Sequence, residues 1–584
     1  MERIKNIYRT LIFALVSISG LFVTSCDDYL TIIPPKDVVH EDFWHTEEQV
    51  RGMMANAYIE LCSPEAIERL IIWGELRSET VTRPATSQNE SILNLLEAEL
   101  YDDNGYATWD KYYSAISSCN LVMKYGSDVV ANDPNFTAAE MTVAEGEMRA
   151  LRAYAHFVLL RAFCNIPLAT TIVMSDEDMP QYPQVTPMEA LNAIYSDLEI
   201  ASTKVLRSTA PTKTSIGTVT TNAVYAMMAD VDMWRAAFAK YYQDKKMDVV
   251  TLTPDEYYRM AIENCKKVLD RMDEVQKEQA KLNNKELDPL NKYHLIQIVD
   301  RDKDVAKYGT SQAYDINFGT DYKEKSEAIF EFLIENGNHA KSGAGISPLY
   351  GYSEKGTGAK LIAAAKLIDK YKTDDIRRYA YISTWNEAWG TATDDHKNDF
   401  IRKYITRTSP DQNGEPDYRK EDEFNVSWSV YRKPDVMLMM AEALLLLSEP
   451  YNATKKDDVA LAFELAYENN KRWKVDATKD PLKLDDPEAV DACLEIVRDE
   501  RSRELCFEGK RWFDVVRMAL MGEDTSFSYQ GKNLDASDDQ IGIRFGRIST
   551  YFMPIHKEEI RFNPLLKQNE SCKSSESDNS VSKN

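Results

Sequence analysis

The chain has 584 residues, 28% of them charged, and its formal net charge at pH 7 is −25. A body this acidic repels phosphate backbones and anionic lipid headgroups, which argues against a nucleic-acid partner and favours neutral ligands. The length could hold several domains, but helical-repeat proteins form single units of this size.

The first 25 residues have the pattern of an export signal. The basic residues Arg3, Lys5 and Arg9 come first. An apolar run of 13 residues, 11–23, follows, and it is shorter than the roughly 20 residues of a spanning helix. The run ends in small residues before Cys26, as in a bacterial lipobox, in which the signal is cut before the cysteine and the cysteine is acylated. This predicts a mature chain anchored to the membrane by acyl chains; a secretory signal followed by a chance cysteine is the alternative.

Amphipathic helical periodicity dominates the chain on both sides of its centre. Two predicted helices begin with threonine followed by proline, at Thr186 and Thr253, which is typical of a capping hydroxyl before a first-turn proline. Consecutive helices rich in Ala and Tyr favour tetratricopeptide-type hairpins, without a strict repeat signature. The predicted helices span 47–61, 109–125, 139–163, 187–205, 221–238, 254–272, 434–447, 457–473, 486–505 and 510–518.

The central region, 283–425, lacks sustained periodicity and mixes Gly, Asp, Tyr, Trp and Lys. Within it, the alternation of 327–333 predicts a short strand. Loops of this length in a compact protein are usually functional. The residues after Glu570 are rich in Ser, Lys and Asp, and we predict that they are disordered.

The sequence lacks the short motifs of common enzymes. It has no HExxH or GxSxG motif, and the glycine-rich stretch 351–357 lacks the Gly-Lys-Ser/Thr ending of a phosphate loop. His156 lies among apolar residues and is interpreted as a packed histidine, and the seven cysteines after Cys26 are interpreted mainly as buried thiols. Adjacent carboxylates such as Asp102 and Asp103 are common in so acidic a chain and do not by themselves indicate a glycoside hydrolase. No metal or cofactor is predicted; acid-rich loops leave calcium open, although no EF-hand spacing is present.

Several segments, in order along the chain, together resemble the SusD/RagB family of outer-membrane nutrient-binding lipoproteins. The most specific is RDERSRELCFEGKRWFDVVR at 498–517, and YRKPDVMLMMAEA at 431–443 is similar to another helix of the family. His556, where the family more often has proline, and the tail after Glu570 depart from the pattern. The other matching segments are Phe43-Trp44 with Thr46-Glu47-Glu48, EGEMRALRAY at 145–154, NIPL at 165–168, FMPI at 552–555, Asn563-Pro564 and Gln568-Asn569.

The resemblance implies a mainly α fold. We expect a SusD-like α-helical scaffold of degenerate tetratricopeptide-type helix pairs, with an irregular loop-rich region that carries short strands. The predicted parts are a lipoprotein signal peptide (1–25), a SusD-like domain (26–570) whose helical scaffold is 27–282 and 426–570 and whose loop-rich ligand side is 283–425, and a disordered tail (571–584).

The segment 498–517 concentrates acids and bases, but we interpret it as structural, closing the helical scaffold. On a helix, Glu500 and Glu504 stand one turn apart, as do Asp499 and Arg503, and these charges are expected to pair locally. Glu508-Gly509 is expected to form the turn before the next helix.

The resemblance implies that ligand residues lie in loops and vary between relatives, so they transfer by region only. Sugar binding requires flat aromatic rings and a few orienting polar groups, and two regions carry them. Trp385 and Trp389 would share one helix face, as a platform or as ordinary core, and plain packing stays open for every aromatic residue here. The predicted ligand residues are Glu79, Arg83, Asn89, Tyr101 and Tyr106 in the first region, and Tyr350, Tyr352, Trp385 and Trp389 in the central region.

The resemblance also implies a function. The protein would capture an oligosaccharide or polysaccharide at the cell surface and deliver it to a SusC-like, TonB-dependent barrel transporter of the outer membrane, without enzymatic activity. Two alternatives stay open: a RagB-like protein that captures peptides by main-chain hydrogen bonds in a cleft, and a surface adhesin with no role in transport.

Overall fold

The computed structural model shows a mainly α-helical protein. Cys26, Tyr352, Trp385 and Trp389 lie outside the residues that it describes. The described residues are 43–84, 87–172, 181–247, 252–289, 291–296, 317–318, 325–334, 345–351, 359–372, 375–383, 400–401, 403–404, 407–408, 417–418, 427–449, 453–473, 490–532 and 534–575.

Helix starts in the first half are set by local capping. The predicted caps at Thr186 and Thr253 are confirmed, since Glu189 and Glu256 complete a capping box at each. A helix that the sequence analysis missed starts in the same way, with Ser63 accepting from the Ala66 N–H and proline in the first turn. The elements are α1 (Glu47–Leu61), α2 (Pro64–Gly74), β1 (Val81–Thr82), α3 (Glu90–Leu96), β2 (Leu100–Tyr101), α4 (Asp110–Asn132), α5 (Ala138–Phe163), β3 (Ile166–Pro167), β4 (Gln184–Val185), α6 (Pro187–Ser202), α7 (Lys213–Gly217), α8 (Thr221–Asp244) and α9 (Pro254–Leu282).

Short elements follow in the centre of the chain. The strand predicted at 327–333 is confirmed, and it pairs with a strand just before the next long helix. The elements are β5 (Ala328–Phe332), α10 (Ile346–Tyr350), β6 (Ile362–Ala363), α11 (Ala365–Lys370), α12 (Arg377–Tyr381), β7 (Ile382–Ser383), β8 (Phe400–Ile401), β9 (Arg407–Thr408) and β10 (Asp417–Tyr418).

Helices return in the last part of the chain. The elements are β11 (Trp428–Arg432), α13 (Lys433–Leu447), α14 (Lys456–Lys471), α15 (Val490–Leu505), α16 (Arg511–Leu520), α17 (Asp538–Arg544), α18 (Lys557–Phe562) and β12 (Cys572–Lys573).

The start of the predicted disordered tail is ordered. Cys572 and Lys573 pair in parallel with Leu100 and Tyr101, because the unpaired backbone groups of β2 offer an edge to this segment. The sequence prediction is therefore wrong for 571–575, and 576–584 lie outside the described residues.

The long helices pack as a continuous series around one apolar core. Their order is α1, α4, α5, α6, α8, α9 and α13, with α14 and α15 packed on α13 and on each other. All the sheets formed by the described residues have two strands: β1–β6, β3–β4, β5–β11, β7–β8 and β9–β10 are antiparallel, and β2–β12 is parallel. No helix in the described part of the chain is long and apolar enough to cross a bilayer.

A buried ionic cluster joins α15 to the centre of the chain. Glu504 accepts hydrogen bonds from Arg432 at 2.5 Å and from Arg472 and Arg377 at 2.9 Å, and all four side chains are buried. Burial alone would raise the pKa of Glu504, but the three guanidinium groups hold it well below its usual range.

Local pairing was predicted for these charges, and that prediction is only partly right. Arg503 does contact Glu500 one turn away, at 2.9 Å. Asp499 instead contacts Lys370, and Glu500 is also held by Arg377, because the helix is packed inside the protein and meets bases from other elements.

The predicted turn at Glu508-Gly509 is confirmed and is tightly packed. Gly509 has φ +66°, a conformation that favours glycine. A Cβ on Gly74 would lie 1.9 Å from the Gly509 carbonyl oxygen, so the end of α2 and this turn approach each other backbone to backbone.

Candidate ligand-binding site

The structure brings described parts of the two predicted loop regions together. Val81 and Thr82 of β1 pair with Ala363 and Ile362 of β6. The Ala364 N–H also donates to the Thr80 carbonyl at 2.9 Å. The loop after α2 and the segment after α10 therefore share one small sheet, although they are distant in sequence.

Tyr106 contacts two cations, one of which, Lys360, comes two residues before β6. The Arg69 guanidinium is 5.2 Å and the Lys360 ammonium 5.8 Å from the centre of its ring. The Tyr106 hydroxyl accepts from Lys360 at 3.3 Å and from the Asn89 amide at 3.4 Å. Glu68 contacts Lys360 at 3.2 Å and Arg69 at 3.0 Å. We call Glu68, Arg69, Asn89, Tyr106 and Lys360 the Tyr106 cluster.

The backbone around this cluster is fixed from several sides. Asn89 caps α3 by accepting from the Ile92 N–H at 3.0 Å, and Asn104 accepts from the Tyr106 N–H at 3.0 Å. The Trp73 indole donates to the Tyr106 carbonyl at 2.8 Å. The cluster is thus held rigidly, as a preorganised binding site requires.

The solvent-exposed part of the Tyr106 cluster is polar rather than aromatic. Tyr106 is only 7% exposed, whereas the Lys360 side chain is 36% exposed. Partial burial lowers the pKa of Lys360, but the neighbouring Tyr106 and Glu68 outweigh this effect and raise it. The ammonium group therefore stays charged. Ammonium and amide groups can donate to ligand hydroxyls, and the Glu68 carboxylate can accept from them.

Arg83 and Tyr101 contact other parts of the protein. Arg83 donates to the Ser87 carbonyl at 2.9 Å and contacts Asp535 at 3.0 Å. The Tyr101 hydroxyl donates to Glu99 at 3.1 Å, and Lys573 of β12 lies over its ring. Both side chains are half-buried.

Glu79 is a buried ion-pair partner rather than an exposed group. It is 1% exposed and contacts Arg511 at 2.8 Å and Lys370 at 3.0 Å. Burial would raise the pKa of Glu79, but these two cations outweigh that effect and hold it well below its usual range.

Tyr350 fits the plain-packing alternative. It is 1% exposed, donates to the Phe507 carbonyl at 3.3 Å and stacks against Tyr404. The remaining predicted ligand residues, Tyr352, Trp385 and Trp389, lie outside the described residues.

Sequence reasoning missed three members of the Tyr106 cluster. Glu68 and Arg69 lie on α2, which the Ser63-Pro64 start could have revealed. Lys360 follows the glycine-rich stretch 351–357 in the loop-rich region, and no local signal links it to Tyr106. Among the described residues, no group of three or more His, Cys, Asp or Glu side chains is placed to hold a metal ion.

Comparison with known proteins identifies the family. The model of the SusD family matches residues 383–571, and a model described as "Starch-binding associating with outer membrane" matches 28–233. The chain is also 25% identical to a SusD-like protein, P38, of Formosa agariphila over 548 residues, which are 88% of this chain and 92% of that protein. The chain belongs to the SusD/RagB family, whose members are binding proteins.

Solved structures share the fold. A SusD superfamily protein of Bacteroides fragilis matches with a TM-score of 0.63 and 17% identity, covering 91% of this chain and 100% of that one. A protein of Bacteroides vulgatus described as a putative sugar binding protein matches with a TM-score of 0.61 and 17% identity, covering 90% of this chain and 98% of that one. The predicted SusD-like helical fold is confirmed.

Proposed function

We propose that the protein is a cell-surface lipoprotein that binds a neutral oligosaccharide or polysaccharide and passes it to a SusC-like, TonB-dependent transporter of the outer membrane. One observation carries the proposal: in a SusD-family scaffold, the two loop regions meet at the Tyr106 cluster. Rigid polar groups at the edge of variable loops are the usual setting of a specificity site.

In the proposed site, the ligand hydroxyls form hydrogen bonds with Lys360, Asn89 and Glu68. Arg83 lies near Asn89 in the sequence. Trp385 and Trp389 supply aromatic platforms for the apolar C–H faces of the sugar rings. We expect dissociation constants of about 1 μM to 1 mM, because a ligand that is handed over must also leave. The protein binds this ligand without converting it.

A glycan array followed by calorimetric titration of the strongest neutral ligand tests the site. We expect Lys360→Met to weaken binding roughly tenfold, since a hydrogen bond from a charged donor is lost. Trp385→Ala and Trp389→Ala should each weaken it as well. Lys266→Met, on the exposed face of α9, is the matched control and should bind like the native protein. Binding that none of the three site substitutions weakens would refute this location.

The anchor and the partner are tested separately. Cys26→Ala should release the protein from the membrane fraction, and mass spectrometry of the native N-terminus should find acyl chains on Cys26. A pull-down from detergent-solubilised outer membranes should recover a barrel transporter. Recovery of no barrel would support the adhesin alternative.

A further inference from the structure

A cavity of about 1120 Å³ lies among the described residues of six helices, and no residue of the Tyr106 cluster lines it. Its walls come from the end of α8, the start of α9, the end of α13, α11, α15 and α16 with the segment after it. Ligand sites commonly have volumes of about 300 to 1,000 Å³, so this cavity could hold several residues of a chain molecule.

The basic residues that line this cavity are already engaged. Lys370 contacts Glu79 and Asp499, and Arg511 contacts Glu79. Arg498 contacts Glu523 and Glu442 at 2.5 and 3.3 Å. The other two lining bases follow the same rule: Lys240 contacts Asp244 at 2.6 Å, and Lys366 donates to the Phe527 carbonyl at 3.1 Å.

Four carboxylates on the rim differ. Exposed and without an ion pair to any basic side chain of the described residues are Glu449, Asp491, Glu495 and Asp524, of which the first three lie at the end of α13 and on α15. Partial burial raises the pKa of Glu449, and the nearby Asp491 and Glu523 raise it further. Arg498 and Lys455 oppose these effects but do not cancel them. Within the described part of the chain, the rim therefore holds negative charge that no ion pair neutralises.

The start of α9 does not reverse this charge. A helix N-terminus attracts anions, but here the Thr253 N–H is already taken by the Glu256 carboxylate at 2.7 Å, and Asp255 stands beside it. An anionic ligand would meet these carboxylates as well as those of the rim.

The remaining wall is mainly apolar. Flexible and sulfur-containing side chains suit apolar peptide side chains better than sugar rings. The apolar lining is Tyr258, Leu446, Leu494, Met518, Met521 and Phe527.

We propose that this cavity is a second binding site, for a short peptide that places a lysine or arginine at the acidic rim and an apolar side chain on the wall. Its lining shares no residue with the Tyr106 cluster, and its test does not depend on the proposed glycan site. Exposed carboxylates of one sign steer an oppositely charged ligand, so binding weakens as salt rises.

The test is calorimetric titration of the full mature protein with the peptide acetyl-Leu-Lys-Phe-Lys-amide. The matched probe is the same peptide with both lysines Nε-acetylated, which keeps the shape and removes the charge. We expect the charged peptide to bind, and the triple variant E449Q/D491N/E495Q to weaken its binding roughly tenfold at low salt. The acetylated peptide should bind the native protein about as weakly as the charged peptide binds the triple variant.

The control variant D128N/D270N/E278Q removes the same number of negative charges from exposed positions on α4 and on the part of α9 away from the cavity. It should bind the charged peptide like the native protein. Equal weakening in both triple variants would overturn the proposal, because total charge alone would then explain the binding. Equal binding of both peptides, or no binding of either, would also overturn it. Displacement of the charged peptide by a neutral glycan would assign the cavity to the glycan site instead and overturn the peptide proposal.

Discussion

Helix α15 carries glutamates in two opposite environments, and the comparison separates structural from available charge. On one side, Glu504 is fully buried and contacts Arg432, Arg472 and Arg377. On the other, Glu495 is exposed on the cavity rim without an ion-pair partner among the described residues. The residue type is the same, so the surroundings decide whether a carboxylate holds the fold together or can meet a ligand.

The largest expected effect comes from the buried side of this comparison. Glu504→Gln leaves three guanidinium groups with less negative charge than they need, and it should lower the free energy of unfolding by about 3–5 kcal/mol. Urea unfolding followed by circular dichroism measures the change. Glu495→Gln on the same helix is the control and should stay within about 0.5 kcal/mol of the native protein. Equal losses of stability at the two positions would contradict the distinction between the structural Glu504 and the exposed Glu495.

The next prediction concerns a buried group without an ion pair. His156 is 3% exposed, and burial lowers its pKa to about 3, with Arg152 adding to the effect. Below pH 6.5, the ordinary pKa of histidine, His156 is protonated in the unfolded chain but stays neutral in the folded protein. The free energy of unfolding therefore falls as the pH drops from 6.5 towards 3. At pH 5 the loss from this residue should be about 2 kcal/mol relative to pH 8.

Comparing the native protein with His156→Leu isolates the contribution of His156 to the pH dependence of stability. Urea unfolding of both proteins between pH 8 and pH 5 should show a steeper loss of stability in the native protein. The difference between the two slopes is the relevant quantity, because a change of packing alone would shift both ends equally. Parallel curves would mean that His156 takes up its proton without unfolding.

Local signals made most of the fold predictable. Helix α1 runs over the predicted 47–61, and the starts at Thr186 and Thr253 follow from a hydroxyl, a proline and a glutamate within four residues. The strand at 327–333 followed from its alternation. Such features depend on neighbours along the chain, which a single sequence displays.

Contacts between distant residues were not predictable in this way. Nothing near Glu504 indicates that Arg377, Arg432 and Arg472 will surround it, so local pairing was expected instead. The candidate site shows the same limit. Asn89 and Tyr106 lie in a region that the sequence singled out, but Lys360 joins them only through folding.

The smallest expected effect returns to the cavity rim. Burial, Asp491 and Glu523 make ionisation of Glu449 unfavourable, so Glu449→Gln should raise the free energy of unfolding at neutral pH and low salt by roughly 0.5 kcal/mol. Glu263→Gln on α9 is the control, and it should have a small effect of opposite sign because Glu263 contacts Lys267 at 3.1 Å.

The sign of the Glu449→Gln effect matters more than its size. High salt should shrink the gain, since it screens the repulsion between carboxylates. A loss of stability in urea unfolding would show that Glu449 has a favourable partner and belongs with the structural carboxylates. A gain in stability would mean that the charge of Glu449 destabilises the fold, as charges in binding sites often do. The same substitution should then weaken binding of the charged peptide in the cavity test.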